Sequence, residues 1–250
     1  MAKLNIKEAF SKMSKFQMIA TILLMAALAL LIVHFIGYYL IDIIAYNMFK
    51  AMFSSVYEFY SIFLIFTLTV VDMAFAAGLI LSLLVGSKKN FAIILIMKAA
   101  VAVCSVLFFT PFAMFLFKLS YPNGTIEYGD MFYSFFIQIT LASGYCLLGV
   151  LLLGGFKKIA KVLGFVSAGV IALVSIRYII NFFTESAALV RSISAGEVTN
   201  ILDTIFCDYP QTFAYIGIAA ALVLVALGFT FAVLKKSAKK PNSSQQAEQK

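Results

Sequence analysis

The chain has 250 residues, of which 63% are hydrophobic and only 12% are charged, and its mean hydropathy is +1.03. These values exclude a water-soluble domain of ordinary composition. The formal net charge of +8 does not indicate nucleic-acid binding, because the basic residues follow the pattern of a membrane topology.

Six apolar runs dominate the sequence, and each reaches about 20 residues or more, the length a helix needs to cross the hydrocarbon of a bilayer. No run alternates apolar and polar residues, so the runs predict helices and not the strands of a barrel. The predicted fold is all-α, a polytopic integral membrane bundle of six transmembrane helices. These are spans 1 to 6, at residues 17–41, 60–84, 91–117, 131–153, 162–183 and 212–234.

The basic residues lie mainly on one side of these spans. Fourteen lysines precede span 1, follow span 6, or lie between spans 2 and 3 or spans 4 and 5, whereas Lys50, Lys118 and Arg191 lie on the other side. Basic residues near span ends are retained in the cytoplasm. We therefore predict that both termini are cytoplasmic and that the membrane is a bacterial plasma membrane.

The two ends of the chain differ from its apolar middle, residues 17–234. In residues 1–16, Ile6, Phe10 and Met13 recur at helical spacing between lysines, which predicts an amphipathic helix on the membrane surface. Residues 235–250 are basic and polar without apolar periodicity, which predicts a disordered cytoplasmic tail.

The connections on the cytoplasmic side, at 85–90 and 154–161, are short and leave a separate driving ATPase little to hold. The longest connection on the other side, 184–211, contains Ser194-Ala195-Gly196-Glu197, which matches a helix capping box. Apolar residues follow at helical spacing, so we predict an amphipathic helix at 198–206.

Ionisable residues within spans are informative, because a charge at the centre of a spanning helix costs about 2.5 to 3.5 kcal/mol. At about 1.5 Å per residue from the cytoplasmic end, Asp72 in span 2 and Arg177 in span 5 lie about 21 and 22 Å up. Their matching heights predict a buried Asp72–Arg177 pair. Lys98 lies only about 10 Å up, so we expect its side chain to extend to the cytoplasmic headgroups.

Other polar residues lie near the same height and predict a polar cluster in the outer half of the bundle. With the predicted pair, this candidate transport pathway comprises His34, Asp72, Thr110, Gln138, Arg177 and Asn181. Pro111 interrupts the hydrogen bonding of span 3 and is a candidate hinge. The alternative is a set of structural contacts that lock helices together without touching a solute.

Small residues at intervals of four predict close helix packing. They are Gly164, Ala168 and Ala172 in span 5, Gly217 and Ala221 in span 6, and Ala74 and Gly78 in span 2.

Nothing in the sequence indicates catalysis. The cysteines, Cys104, Cys146 and Cys207, are far apart, His34 is the only histidine, and no phosphate-binding loop is present. We therefore expect no catalytic residue, no metal and no cofactor.

Two functions fit these observations. The chain is predicted to be a transporter or channel-like permease for a small solute or ion. The alternative is a non-catalytic membrane subunit that anchors or assembles a larger complex. The expected partners are the lipid bilayer and either other membrane subunits or a second copy of the chain, and we expect no nucleic acid.

Overall fold

The computed structural model describes residues 6–45, 55–125, 128–196, 201–202 and 204–238. Within these residues the chain is helical, and six of its helices are long and apolar enough to cross a membrane. Large apolar side chains cover their outer surfaces; Phe136, Leu173 and Phe183, for example, are 71%, 68% and 66% exposed. Such a surface is stable against lipid, and the chain is a multi-pass membrane protein by the length and composition of its helices.

The spans correspond to the helices in chain order. Span 1 is α2, span 2 is α3, span 4 is α6 and span 5 is α7. Span 3 consists of α4 and α5 with a π-helix between them, and span 6 consists of α8 and the π-helix that precedes it. The bounds are α1 (Ile6–Lys12), α2 (Lys15–Ala45), α3 (Val56–Leu84), α4 (Lys88–Cys104), a π-helix (Ser105–Phe109), α5 (Thr110–Ser120), α6 (Tyr128–Leu152), α7 (Ala160–Ala195), a second π-helix (Thr204–Asp208) and α8 (Tyr209–Ala238).

The N-terminal segment contains a short helix, α1, separated from span 1 by a break at Ser14. The Ser14 hydroxyl accepts from the Gln17 N–H at 3.3 Å, and the Gln17 side-chain oxygen accepts from the Ser14 N–H at 3.0 Å. This reciprocal capping box starts α2. At the other end of the chain α8 continues to Ala238, past residue 235 where the tail was predicted to start. Residues 1–5 and 239–250 lie outside the described part of the chain.

The turn between spans 2 and 3 is tight because of two residues. Gly86, at φ 72°, adopts a left-handed conformation that ends α3. Ser87 then caps α4, since its hydroxyl accepts from the Asn90 N–H at 3.2 Å. The two spans therefore form an antiparallel hairpin.

The spans are arranged in a ring. Each span packs against the next one in the sequence, and span 6 packs against span 1. The closest packing involves small residues, as predicted: a Cβ at Gly217 would lie 3.3 Å from that of Ala27 in span 1, and one at Gly164 would overlap the Thr230 hydroxyl of span 6. The predicted small-residue seam of span 5 ends at Ala168, because Ala172 is exposed.

The helix of span 5 is longer than its predicted apolar run. It does not end at residue 183 but continues as α7 to Ala195 and stops at Gly196, which is in a left-handed conformation at φ 72°. Ser194 does not start a helix; its hydroxyl donates to the Val190 carbonyl at 2.9 Å within α7. In the predicted helix at 198–206, Ile201 and Leu202 are helical and residues from Thr204 onward form the π-helix, whereas residues 198–200 and 203 lie outside the described part.

The ring packing makes a prediction about two glycines of the same helix. Gly164→Ala should lower the free energy of unfolding by about 1 to 3 kcal/mol, because its methyl group overlaps the fully buried Thr230. Gly169→Ala is the control, since a Cβ there meets nothing within 4 Å. Thermal unfolding in detergent measures both, and equal stability of the two variants would contradict the packing of span 5 on span 6.

Candidate functional site

Asp72 lies at the centre of the ring and is only 6% exposed. Its carboxylate forms an ion pair with the Lys98 ammonium of span 3 through one oxygen. The other oxygen accepts a hydrogen bond of 2.6 Å from the Tyr215 hydroxyl of span 6. Two charge-assisted hydrogen bonds from different helices therefore hold this buried carboxylate.

Aromatic rings surround the pair. Tyr215 stacks on Tyr178 of span 5, with ring centroids 5.1 Å apart, and Phe75 of span 2 contacts Tyr145 of span 4 at 5.7 Å. The Lys98 ammonium also lies 5.8 Å from the centre of the Phe75 ring. We call these six residues the central cluster: Asp72, Phe75, Lys98, Tyr145, Tyr178 and Tyr215.

The central cluster closes the axis of the ring. Its contacts run from span 2 to span 6 and from span 2 to span 4, which are not neighbours in the ring. Large side chains are required here because six helices in a ring leave a wider centre than a pair of packed helices does.

An aliphatic layer lies next to the central cluster, toward the end of the ring that carries the N-terminus and the 85–87 turn. Spans 2 to 6 each contribute to it one large aliphatic side chain with 0% exposure. The layer consists of Leu79, Leu95, Leu148, Ile171 and Leu222. It separates the charged pair from that end of the ring.

The predicted Asp72–Arg177 pair is not formed. The Arg177 guanidinium lies over the ring of Tyr133 in span 4, 5.4 Å from its centre, in a surface groove of about 320 Å³. The matching heights did not specify direction: successive residues of a helix point about 100° apart, so Tyr178 occupies the inward position next to Arg177.

The expectation that Lys98 extends to the headgroups was also wrong. Span 3 begins at Lys88, earlier than the apolar run suggested, which raises Lys98 to about 15 Å above its start. Asp72 lies about 18 Å from the end of α3. Residues at similar distances from a tight hairpin turn lie at similar heights along the two helices. These distances can be counted in the sequence, which therefore contained a signal for the Asp72–Lys98 pair.

His34 contacts span 6 at the second π-helix. Its Nδ1 lies 2.8 Å from the Cys207 carbonyl oxygen, and since a carbonyl only accepts, Nδ1 carries the proton of this bond. One turn on, a Cβ at Gly37 would lie 2.5 Å from the Phe206 carbonyl oxygen. His34 is thus a helix contact where spans 1 and 6 approach closely.

The interruption expected around Pro111 takes the form of the first π-helix, directly before Thr110. The Thr110 N–H and its hydroxyl both donate to the Ser105 carbonyl, the hydroxyl at 3.0 Å. The Phe109 carbonyl accepts from the Tyr60 hydroxyl of span 2 at 3.2 Å. Pro111 has no backbone N–H to donate, so the regular helical hydrogen bonding is interrupted here. The wider turn of the π-helix accommodates this interruption.

The predicted polar residues therefore do not form one cluster. Asp72, His34, Thr110 and Arg177 contact different groups, and Gln138 and Asn181 are partly buried. A further polar contact was not predicted, because Glu185 was assigned to the connection 184–211 while Thr212 was placed at the start of span 6. Thr212 donates to both carboxylate oxygens of Glu185, at 3.0 and 3.2 Å, and joins spans 5 and 6.

A cavity of about 230 Å³ opens at the end of the ring near the 85–87 turn. Spans 1, 2, 3, 4 and 6 all contribute to its lining, for example through Gln17, Ser82, Lys88, Leu152 and Phe229. It therefore lies on the axis of the ring, beyond the aliphatic layer, and we call it the mouth cavity.

Among the described residues, no three His, Cys, Asp or Glu side chains lie close enough together to hold a metal ion. Comparison with protein families, with curated proteins and with solved structures finds no match to this chain. Inference about function therefore rests on the central cluster and the mouth cavity.

The ion pair makes a prediction about stability. Asp72→Asn and Lys98→Gln should each destabilise the protein by about 3 to 5 kcal/mol, because each leaves one charge buried without its partner. The double variant should be destabilised by less than the sum of the two. Unfolding in detergent measures the cycle, with Arg177→Gln as a control that should have a smaller effect. Additive losses would contradict the pairing.

Proposed function

We propose that the chain is a permease of a bacterial plasma membrane that moves a small solute or ion along the axis of its ring. Both termini are cytoplasmic in this proposal, since the lysines before span 1, at the 85–87 turn and after span 6 are then retained inside. The mouth cavity opens to the cytoplasm and the central cluster lies beyond it. In this proposal the structure is a closed state of the permease.

The observation that carries the proposal is the charged pair at the ring centre. Replacing a buried ion pair by apolar side chains of similar size is often neutral or stabilising, so packing alone does not require these charges. Charged residues within membranes cost free energy and commonly belong to solute or proton pathways. Here the charges lie where a pathway along the axis would be blocked.

Proton binding to Asp72 provides a means of opening. A protonated carboxyl group no longer attracts the Lys98 ammonium as an anion does, and it can itself donate a hydrogen bond. The groups that face Asp72 are Lys98, Tyr215, Tyr178 and Tyr145. Loss of the contacts from Asp72 to spans 3 and 6 would let the ring widen at its centre and free the Lys98 ammonium to meet a solute.

This proposal predicts that water reaches the ring centre transiently. Ala142, 3% exposed and one turn from Tyr145, is replaced by Cys in a chain whose three cysteines are changed to Ser. A membrane-impermeant thiol reagent should label Ala142→Cys slowly. Asp72→Asn should raise the rate by roughly tenfold, because the open state gains about 1.4 kcal/mol relative to the closed one.

Leu173→Cys is the control, since Leu173 is 68% exposed on the outer surface, within lipid, and should not be labelled. If Asp72→Asn does not fold, Asp72→Asn with Lys98→Gln replaces it. A folded protein in which Ala142→Cys never reacts contradicts the permease.

The second candidate is a non-catalytic membrane subunit, and one observation favours it. Arg177 lies in a groove on the outer surface, between Tyr133 and Thr140 of span 4 and Ile180 of span 5. Among the described residues no carboxylate lies within ion-pair distance of it. A spanning helix of a partner, with a carboxylate at this height, would neutralise Arg177 and cover the groove.

Crosslinking tests this candidate. A photoreactive side chain placed at Ile176 or Ile180 should form an adduct with one discrete protein in native membranes, and Arg177→Leu should abolish that adduct. Adducts with lipid alone, or a protein adduct unchanged by Arg177→Leu, would contradict an assembly role for this groove.

A further inference from the structure

We propose that the mouth cavity binds a small amphipathic anion, which is the solute class of the permease. This inference rests on the proposed function for its role in transport, but the binding itself is independent of it.

Most polar side chains that line the mouth cavity offer donors; the exception is Ser82, whose hydroxyl donates to the Gly78 carbonyl at 2.8 Å and whose oxygen can still accept. The Ser87 hydroxyl accepts from the Asn90 N–H, and the Ser14 hydroxyl accepts from the Gln17 N–H, so each oxygen is engaged while its proton remains to be donated. The Gln17 side-chain oxygen is engaged by the Ser14 N–H, which leaves its amide protons. The Lys88 ammonium adds three donors. A ligand that meets these groups must supply acceptors.

The charges point to an anion as well. Lys88 lines the cavity, and among the described residues no Asp or Glu does. Lys12, Lys15 and Lys89 lie at the same end of the ring, where Glu8 is paired with Lys12 at 2.5 Å. A cavity whose lining carries one sign of charge raises the local concentration of the opposite ion.

The rest of the lining is apolar. Phe91 and Leu83 are only 2% and 7% exposed, and Phe16, Leu152 and Phe229 complete the wall. An inorganic ion would leave this surface without a partner, whereas the apolar part of an amphipathic ligand would bury it. The ligand thus needs an anionic group at Lys88 and a short apolar body.

The position of the cavity connects this ligand to the central cluster. Lys98 is the next cation along the axis after Lys88, about 15 Å higher on the same span, beyond the aliphatic layer. A proton on Asp72 frees Lys98 for the anion, and the arrival of one proton and one monovalent anion leaves the net charge of the site unchanged. In this proposal, loss of the Asp72–Lys98 ion pair and binding of the anion at Lys98 are therefore coupled.

Binding to the full chain in nanodiscs of zwitterionic lipid tests the inference by calorimetry. The probes are hexanesulfonate, which is always anionic, and hexyltrimethylammonium, its cationic counterpart. Hexanesulfonate should bind and hexyltrimethylammonium should not. Lys88→Gln should weaken hexanesulfonate binding roughly tenfold, the loss expected for one charge-assisted contact.

Lys89→Gln is the matched control, because Lys89 neighbours Lys88 but does not line the cavity, and it should leave the affinity unchanged. Ala232→Phe, which fills the cavity from its rim without changing charge, should abolish binding. Equal effects of Lys88→Gln and Lys89→Gln would overturn the site, since they would reflect surface charge alone.

Two further probes separate other ligands of the same charge. Inorganic phosphate that competes as well as hexanesulfonate would overturn the need for an apolar body. Phosphatidylglycerol in the nanodisc that displaces hexanesulfonate would instead assign the cavity to a lipid headgroup.

Loss of hexanesulfonate binding with Ala142→Cys labelling intact would refute only the solute class. Binding at Lys88 without any labelling would refute only the permease.

Discussion

The rest of the structure depends on the Asp72 carboxylate, a charge buried among six helices. A carboxylate in such surroundings is stable only if donors reach it, and here they come from span 3 and span 6. These two bonds fix the rotation of three spans about their own axes, because a turn of any one by a single residue would move its polar group about 100° away. The small residues set how closely neighbouring helices approach, and the ion pair sets which faces turn inward.

The aromatic residues follow from the same constraint. Once Asp72, Lys98 and Tyr215 occupy one side of the ring centre, Tyr178, Tyr145 and Phe75 fill the remainder by stacking and edge contacts. The aliphatic layer then covers the pair toward the mouth cavity with side chains that have no polar group of their own. Polar and apolar levels thus alternate along the axis, which distinguishes this ring from a bundle packed with aliphatic residues throughout.

The existence of the six helices could be predicted from the sequence, because hydropathy accumulates over about 20 residues and tolerates errors of several residues at each end. The ion pair could not be predicted from heights alone. A three-residue error at the start of span 3 placed Lys98 too low, and the inward direction of Tyr178 in place of Arg177 is decided by packing across the ring. Similarly, Ser194 and Glu197 have the spacing of a capping box, yet α7 extends through Ser194 and ends at Gly196.

Interior charge and topology together limit how a solute could move. A cation entering the mouth cavity would meet Lys88 and then Lys98, and both would repel it. An anion would be attracted at each step, but as long as Asp72 is ionised its carboxylate occupies the Lys98 ammonium and repels the incoming charge. In the proposed permease, a proton on Asp72 would remove the competitor and the repulsion at once. The residue that holds spans 3 and 6 to span 2 in this structure would then also be the one whose neutralisation lets the ring open.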